Sequence, residues 1–224
     1  MKVTRLSKSR FCYGLQCVRQ LWWRTHEPEA PELDSGPELQ AVFDRGHRIG
    51  EAAHGLFPGG VLVDEEPWAI TQKCAATQAA LTAGAPAVFE ASFVGDEVFA
   101  AIDVLERIDG GFALVEVKST YGVKPQFIPD VAIQVHVARA AGIDVRRAEV
   151  MHLTGRFSRD ERAVRFTRAD VTVAVEAFLP AVPGHLRRLR EALAGELPVV
   201  QPGPQCSAPY ECAFGGRCRA LGAG

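Results

Sequence analysis

The 224-residue sequence predicts a mixed fold of helices and strands, an α+β domain built on one central sheet. The hydrophobic period is near 3.6 in the first part of the chain, changes to about 2 in the middle and then returns to about 3.6. Pairs of turn residues separate the period-2 segments, as in a meander of hairpins. An apolar content of 47% and a charged content of 23% are ordinary for one globular domain, which we expect to span residues 1–224.

The N-terminal part of the chain predicts three helices. Ser7 can cap the first, prolines mark a loop before the second, and Gly84 follows the third. The helices are predicted over residues 7–24, 38–56 and 70–81, with a short apolar run at 61–63 before the third.

Three strands joined by two tight turns form the predicted meander. Gly95-Asp96 and Asp109-Gly110 are the expected turn residues, because glycine and aspartate favour the backbone of two-residue hairpins. The strands are predicted over residues 88–94, 98–106 and 112–118.

A helix, a strand and a long helical stretch are predicted after the meander. Asp130 is the expected N-cap of the helix, which ends near Ala141, and a strand over 146–153 follows with 163–166 as its partner. Residues 167–170 resemble a capping box that opens a helical stretch to about residue 194, broken near Pro180 and Pro183.

The predicted hairpin register brings four charged side chains to one face of the sheet. The second turn places Asp103 opposite Glu116 and Ala101 opposite Lys118, and the first turn places Glu90 opposite Ala101. Glu90 then lies one strand further out and reaches the same place only through water. A longer turn would shift this register.

Asp103 and Glu116 are candidate ligands of a divalent cation. Two opposed carboxylates repel each other unless a positive charge lies between them, and oxygen ligands suit Mg²⁺ or Mn²⁺. Lys118 could hold a water molecule or a scissile phosphate beside them, which fits metal-assisted phosphodiester hydrolysis. An ordinary salt bridge between Lys118 and one carboxylate is the alternative.

Four cysteines form a second candidate site. Cys206, Cys212 and Cys218 lie in a tail rich in Gly and Pro, and Cys17 lies in the first predicted helix. Thiolates in such a segment hold a metal or a cluster, which here would tie the two ends of the chain together. Two disulfides or four unrelated thiols are the alternatives, and Cys74 is expected to be a buried small apolar residue.

Composition also indicates the expected cellular compartment and the kinds of binding partner. The N-terminus lacks a signal-peptide pattern and no segment is apolar enough to span a membrane, which predicts a cytoplasmic protein with reduced thiols. Residues 1–26 carry six Lys or Arg and no acid, and residues 185–190 are basic again. Two basic faces could follow a phosphate backbone, although solvated helix faces give the same pattern.

These motifs resemble the PD-(D/E)XK nuclease superfamily and its RecB-like branch. The predicted order matches the restriction-endonuclease-like αβββαβ core of that family, with a mixed central sheet, here at 85–155. By this resemblance the Val117 carbonyl is a further metal ligand, and Gln134 orients DNA or Lys118. The matching motifs are Ala101-Ile102-Asp103, Val115-Glu116-Val117-Lys118 and, for Gln-x-x-x-Tyr, Asp130-Val131-Ala132-Ile133-Gln134.

Within this branch the chain more closely resembles the iron–sulfur RecB-like nucleases, a group that includes the CRISPR-adaptation nucleases, the AddB cluster domain and an uncharacterised RecB-like family. The likeness rests on Leu6-Ser7-Lys8-Ser9, Gly14-Leu15-Gln16-Cys17, Leu21-Trp22 and Cys206-Ser207-Ala208-Pro209-Tyr210-Glu211-Cys212. It implies a [4Fe–4S] cluster on Cys17, Cys206, Cys212 and Cys218, without Cys12. Residues 1–26 and 195–224 would together form the iron–sulfur staple, and zinc is the alternative metal.

The sequence departs from the family pattern in three places. Gly50 stands where RecB-like enzymes have a metal-binding histidine, which Glu51 or His54 could replace, whereas His47 lies off the motif. Ala138 replaces the motif tyrosine. The tail cysteines are also spaced more widely than in many relatives.

The resemblance implies a metal-dependent DNA nuclease, an exonuclease or end-processing enzyme on single-stranded or overhanging DNA. It implies a structural cluster, Mg²⁺ or Mn²⁺ at the active site, and no small-molecule substrate. The alternative is a DNA-binding or assembly subunit of a CRISPR-adaptation or repair complex, with a weak or vestigial nuclease site and integrase or helicase-type partners. A third hypothesis is a structural protein in which zinc holds the two ends of the chain together.

Overall fold

The computed structural model describes residues 6–34, 36–154 and 165–222. The strands are β1 (Leu6–Ser7), β2 (Val61–Leu62), β3 (Ala87–Gly95), β4 (Val98–Ile108), β5 (Gly111–Lys118), β6 (Val145–Leu153) and β7 (Phe166–Asp170). The helices are α1 (Lys8–Gln16), α2 (Val18–His26), α3 (Pro37–His54), α4 (Ile70–Thr82), α5 (Phe127–Ala140), α6 (Thr172–Phe178), α7 (Val182–Ala194) and α8 (Gly215–Gly222).

The strands form one mixed sheet in the order β2-β3-β4-β5-β6-β7, with β1 paired to β4. β3, β4 and β5 form the antiparallel meander, and β6 runs parallel to β5 after the α5 crossover. β7 returns antiparallel to β6. The predicted mixed α/β fold with its αβββαβ order is therefore confirmed.

Each face of the sheet is covered by helices. The larger core contains Ile102, Leu105 and Leu114 from the strands and buries most of α5 against them. A smaller cluster on the other face joins Val104 and Val115 to Ala53 at the end of α3. The middle of β4 and β5 is thus buried on both faces, and a charged residue there needs a partner.

The second hairpin has the predicted register, and the first does not. Ile108 pairs with Gly111, as the Asp109-Gly110 turn requires. In the first hairpin, Gly95 remains in β3 and pairs with Val98, and the turn is Asp96-Glu97. Both turn residues have positive φ, 46° and 55°, as a type I′ turn requires.

Gly95 was predicted to be a turn residue, but it lies in β3, where the close approach of α5 requires a glycine. A Cβ on Gly95 would lie 2.4 Å from the Val137 carbonyl oxygen of α5. The shift of two positions moves Glu90 from Ala101 to the position opposite Asp103. Glu90 itself has a positive φ of 54° between the regular pairs Phe89↔Val104 and Ala91↔Ile102.

The first predicted helix is two helices. Cys17 is extended, with φ −161° and ψ 120°, and separates α1 from α2. Periodicity could not show this break, because apolar residues continue at helical spacing on both sides of it. Ser7 caps α1 as expected, since its side chain accepts from Arg10 N at 3.3 Å.

Two further helix starts differ from the prediction. Asp130 is not an N-cap but lies in the first turn of α5, which begins at Phe127 and accommodates Pro129 there. Residues 167–170 are not a capping box: they belong to β7, and α6 begins at Thr172. A short 3₁₀ turn at Leu179–Ala181 gives the expected break before α7.

The predicted strand at 163–166 is described only at 165 and 166, since 155–164 lie outside the described residues. Phe166 does pair with Leu153, so β7 is the partner of β6 from that point on. In the described part of the chain, no helix combines the length and apolar character needed to cross a membrane.

Candidate active site

The site lies where β4 and β5 separate. The regular pairing between them ends at Val104↔Val115, one step before Asp103 and Glu116. The Asp103 carboxylate takes the place of a strand carbonyl there, because its Oδ2 accepts from the Val117 N–H at 2.7 Å. This bond fixes Asp103 beside β5 and places both carboxylates at the opening between the strands.

Glu116 is a buried carboxylate that accepts hydrogen bonds from Lys118, Gln134 and Lys8. Its side chain is only 2% exposed. Lys118 donates to Oε1 at 2.6 Å, and Gln134 of α5 donates to Oε2 at 2.7 Å. Gln134 thus orients Glu116, whereas the resemblance led us to expect DNA or Lys118 as its partner.

Lys118 connects β5 to α5. Its ammonium donates at 2.6 Å to Asp130 Oδ2 as well as to Glu116. Two of its three N–H donors are therefore used, and one remains for a further ligand. Asp130 acts as an anchor for this lysine and not as the expected helix cap.

Lys8 is a second lysine at the site, and the sequence reasoning missed it. Its ammonium donates to Glu116 Oε1 at 3.1 Å and to Oε2 at 3.3 Å, and lies 3.8 Å from Asp130. Lys8 and Glu116 are 108 residues apart, so no local pattern could connect them. The sequence showed only that Lys8 belongs to the Leu6-Ser7-Lys8-Ser9 motif and follows the predicted helix start at Ser7, where α1 begins.

A cavity of about 730 Å³ opens onto these groups. Asp103, Glu116, Val117 and Glu90 line it together with Lys8. A smaller cavity of about 210 Å³ shares Lys8, Glu90 and Asp103 with it. The predicted carboxylates thus meet in one space, and Glu90 is nearer to Asp103 than its predicted register allowed.

α3 forms the opposite wall of the larger cavity. Gly50, the residue at the motif-histidine position, lies on this wall, and a Cβ there would meet nothing within 4 Å. Glu51, His54 and His47 line the same cavity, although His47 was expected off the motif. His54 stacks on Phe89 with ring centroids 4.0 Å apart, and burial lowers its pKa, which favours a neutral imidazole.

The charges at the site shift one another strongly. Burial and the neighbouring Glu116 raise the pKa of Asp103. Burial also acts to raise the pKa of Glu116, but Lys118 and Lys8 outweigh it and lower that pKa. Glu116 is therefore ionised, and Asp103 is the carboxyl of the pair that holds a proton more readily.

The four predicted cluster cysteines line one small cavity. Cys17, Cys206, Cys212 and Cys218 surround it together with Arg19, which donates to Cys218 Sγ at 3.2 Å. Burial raises the pKa of Cys212, and Cys17 and Cys206 act on it in the same direction. The extended break at Cys17 is what frees this residue from the helix, between α1 and α2.

The other two cysteines lie elsewhere. Cys12 Sγ is 3.9 Å from Asp130 Oδ1, on the active-site side of α1. Burial and Asp130 raise its pKa. Cys74 lies in α4. Neither residue lines the cavity of the four cysteines.

The C-terminal tail packs on α1 and α2. Gln16 donates to the carbonyls of Gln205 at 2.8 Å and Tyr210 at 2.7 Å. Trp23 and Phe214 are buried against each other with ring centroids 5.0 Å apart. The chain ends are thus joined by ordinary contacts around the cysteine cavity.

Neither site is a preassembled single-ion site. Among residues 6–34, 36–154 and 165–222, no three His, Cys, Asp or Glu side chains are grouped closely enough to hold one metal ion.

The fold has solved neighbours of low sequence identity. The alkaline exonuclease LHK-Exo from Laribacter hongkongensis, in complex with dAMP, is 14% identical, with a TM-score of 0.48 and coverage of 86% of this chain and 91% of that chain. SSO0001 is 11% identical, with a TM-score of 0.49 and coverage of 98% and 89%. The sequence matches no protein-family profile and no curated protein.

Proposed function

We propose that the chain is a divalent-metal-dependent deoxyribonuclease of the PD-(D/E)XK type, with a structural iron–sulfur cluster. The observation that carries the proposal is the pair of Asp103 and Glu116 on one cavity, with Lys118 bonded to Glu116 at 2.6 Å. Glu116 is buried and Asp103 is half-buried, and a carboxylate pair whose pKa values move apart is typical of a catalytic site. The cavity is open, and charged side chains are among the residues that line it, as binding of a phosphodiester strand requires.

Asp103 and Glu116 are the proposed ligands of Mg²⁺ or Mn²⁺, and the Val117 carbonyl is a third ligand by the family resemblance. Oxygen donors of this kind suit those ions. The bound ion would polarise the phosphate and lower the pKa of a water molecule. Gln134 holds Glu116 in place, since its Nε2 also donates to the Asp130 carbonyl at 3.0 Å.

Lys118 is the proposed catalytic lysine. Glu116 and Asp130 hold its ammonium in one place and, against the effect of burial, raise its pKa, so the lysine stays charged. Its remaining N–H can donate to a water molecule or to the scissile phosphate. A fixed positive charge at that point stabilises the charge that develops in the transition state.

The four cysteines are the proposed ligands of a [4Fe–4S] cluster. They share one cavity, and the flanking Arg19 anchors the tail through the Pro198 carbonyl at 2.7 Å. Such a cluster would hold the chain ends together, because ligand binding of this kind contributes directly to folding. No electron transfer is needed in the proposed reaction.

Cleavage assays on single-stranded and double-stranded DNA test the nuclease proposal. Wild type should cleave with Mg²⁺ or Mn²⁺ and stop with a chelator. Asp103→Asn and Glu116→Gln should each reduce the rate by about 100-fold or more, because each removes a ligand and a charge. Arg146→Gln, on an exposed arginine paired with Asp144 at 2.6 Å, is a matched control and should cleave at the wild-type rate.

A DNA-binding or assembly subunit with a vestigial site is the second candidate. This hypothesis is favoured because both carboxylate oxygens of Glu116 already accept hydrogen bonds from lysine and glutamine side chains. It is also favoured by Gly50 at the place of the motif histidine. DNA binding without cleavage in any divalent metal would support it, with integrase or helicase-type proteins as expected partners.

A further inference from the structure

Lys8 occupies a fixed position at the candidate site, and neither the motifs nor the resemblance gives it a role. β1 pairs with β4 through Leu6↔Val98 and Ser7↔Phe99, which sets the start of α1. Lys8 is the first residue of α1 and is followed by a helix that packs on α5. Its ammonium therefore reaches Glu116 from outside the three strands that carry the carboxylates.

Glu116 has no free oxygen in this structure. Oε1 accepts from Lys8 and Lys118, and Oε2 accepts from Lys8 and Gln134. A divalent cation can bind this carboxylate only if one of the donors leaves. A cation and an ammonium on the same carboxylate also repel each other.

Lys8 is the donor that can leave. Its bonds to Glu116 are 3.1 and 3.3 Å, whereas those of Lys118 and Gln134 are 2.6 and 2.7 Å. Lys8 also lines both cavities, and neither Lys118 nor Gln134 lines them. An ion that enters from the cavity therefore meets Lys8 first, and the displaced ammonium remains in the space open to a DNA strand.

We infer that Lys8 is a second functional lysine, which neutralises Glu116 in the metal-free protein and binds a substrate phosphate once a divalent cation takes its place. This inference rests on the proposed nuclease function. The switch needs only rotation of one flexible side chain, since the start of α1 is fixed by β1. A lysine is suited to it because its point charge binds a carboxylate or a phosphate equally well.

Metal binding without DNA gives the first test. Lys8→Met keeps the length of the side chain and removes its charge. It should bind Mn²⁺ about 3- to 10-fold more tightly than wild type in calorimetry, because the competing ammonium is gone. Lys8→Arg should stay near wild type. If Lys8 only supported the fold, Lys8→Met would bind Mn²⁺ more weakly than wild type or equally tightly. Either result would overturn the inference.

Cleavage gives the second test. At saturating Mn²⁺, Lys8→Met should cleave about 10- to 100-fold more slowly, with a raised KM for DNA, because a phosphate contact is lost. Lys8→Arg should recover most of the rate. Lys124→Met, on an exposed lysine that lines neither cavity, is the matched control and should behave as wild type.

Wild-type protein gives a readout that does not depend on a variant folding. Acetylation of Lys8 by an amine reagent, followed by mass spectrometry, should increase when Mn²⁺ is added and decrease again with uncleavable DNA. If the addition of Mn²⁺ does not change the acetylation of Lys8, the proposed replacement of Lys8 by the cation is wrong. If wild type neither binds Mn²⁺ nor cleaves DNA, the proposed function and this inference fail together, whereas a wild-type-like Lys8→Met overturns only the inference.

Discussion

Single residues decide the chemistry of the site, and only some of them were visible in the sequence. Asp103, Glu116 and Lys118 could be predicted to share a face because the Asp109-Gly110 turn fixed their register. Glu90 was assigned to the right face but the wrong partner. Lys8 could not be found, since its contact to Glu116 depends on how α1 packs against the sheet and not on any local pattern.

Asp103 should release its proton when a divalent cation binds. Burial and Glu116 raise the pKa of Asp103 from 3.8 to about 7, so the carboxyl is largely protonated below that pH in the metal-free protein. Since the cation needs the carboxylate, the apparent affinity for Mn²⁺ should rise with pH up to about 7 and then level off. Calorimetry in buffers of different ionisation enthalpy would detect the released proton. An affinity that does not change across this range would contradict the assignment of Asp103.

At the scale of elements, alternation and turn residues predicted the meander well, because both are local properties. The elements that were missed depend on distant contacts. Gly95 signalled a turn but lies in β3, where α5 approaches it closely. The break at Cys17 is equally invisible in the hydrophobic pattern, although it places the cysteine between α1 and α2.

Gly14→Ala should destabilise the protein through the packing of α1. A Cβ there would lie 2.5 Å from Leu189 of α7 and 2.9 Å from Leu21 of α2, so both must shift. We expect a loss of about 1–3 kcal/mol in the free energy of unfolding, measured by denaturant titration. Gly184→Ala in α7 is the control: its Cβ would meet nothing closer than 4.0 Å. It should leave stability unchanged or raise it by up to about 1 kcal/mol. Equal effects of the two changes would show that α1 is not closely packed here.

Across the whole molecule, the helices α1 and α2 meet the C-terminal tail. The tail contacts of Gln16 and the buried pair Trp23 and Phe214 hold them there. Sequence spacing alone could not distinguish a cluster from disulfides or separate thiols. The four cysteines line one cavity, and the cluster proposed on them would add to these contacts.

Removal of any one cluster cysteine should release iron and reduce solubility. Protein purified without oxygen should be brown and contain about four iron atoms per chain. Cys17→Ala, Cys206→Ala, Cys212→Ala and Cys218→Ala should each lose iron, whereas Cys12→Ala and Cys74→Ala should retain it. Iron analysis and visible absorbance measure the outcome. Colourless wild-type protein with one zinc per chain would refute the iron assignment.

Parallel measurement of metal binding and DNA cleavage in Lys118→Ala tests the central claim most directly. Asp103 and Glu116 remain in this variant, so Mn²⁺ should still bind. Cleavage should fall by about 100-fold or more, because the charge proposed to bind water and phosphate is lost. Lys124→Ala should match wild type in both measurements. If Lys118→Ala cleaves DNA as fast as wild type, the nuclease site does not lie at Asp103, Glu116 and Lys118.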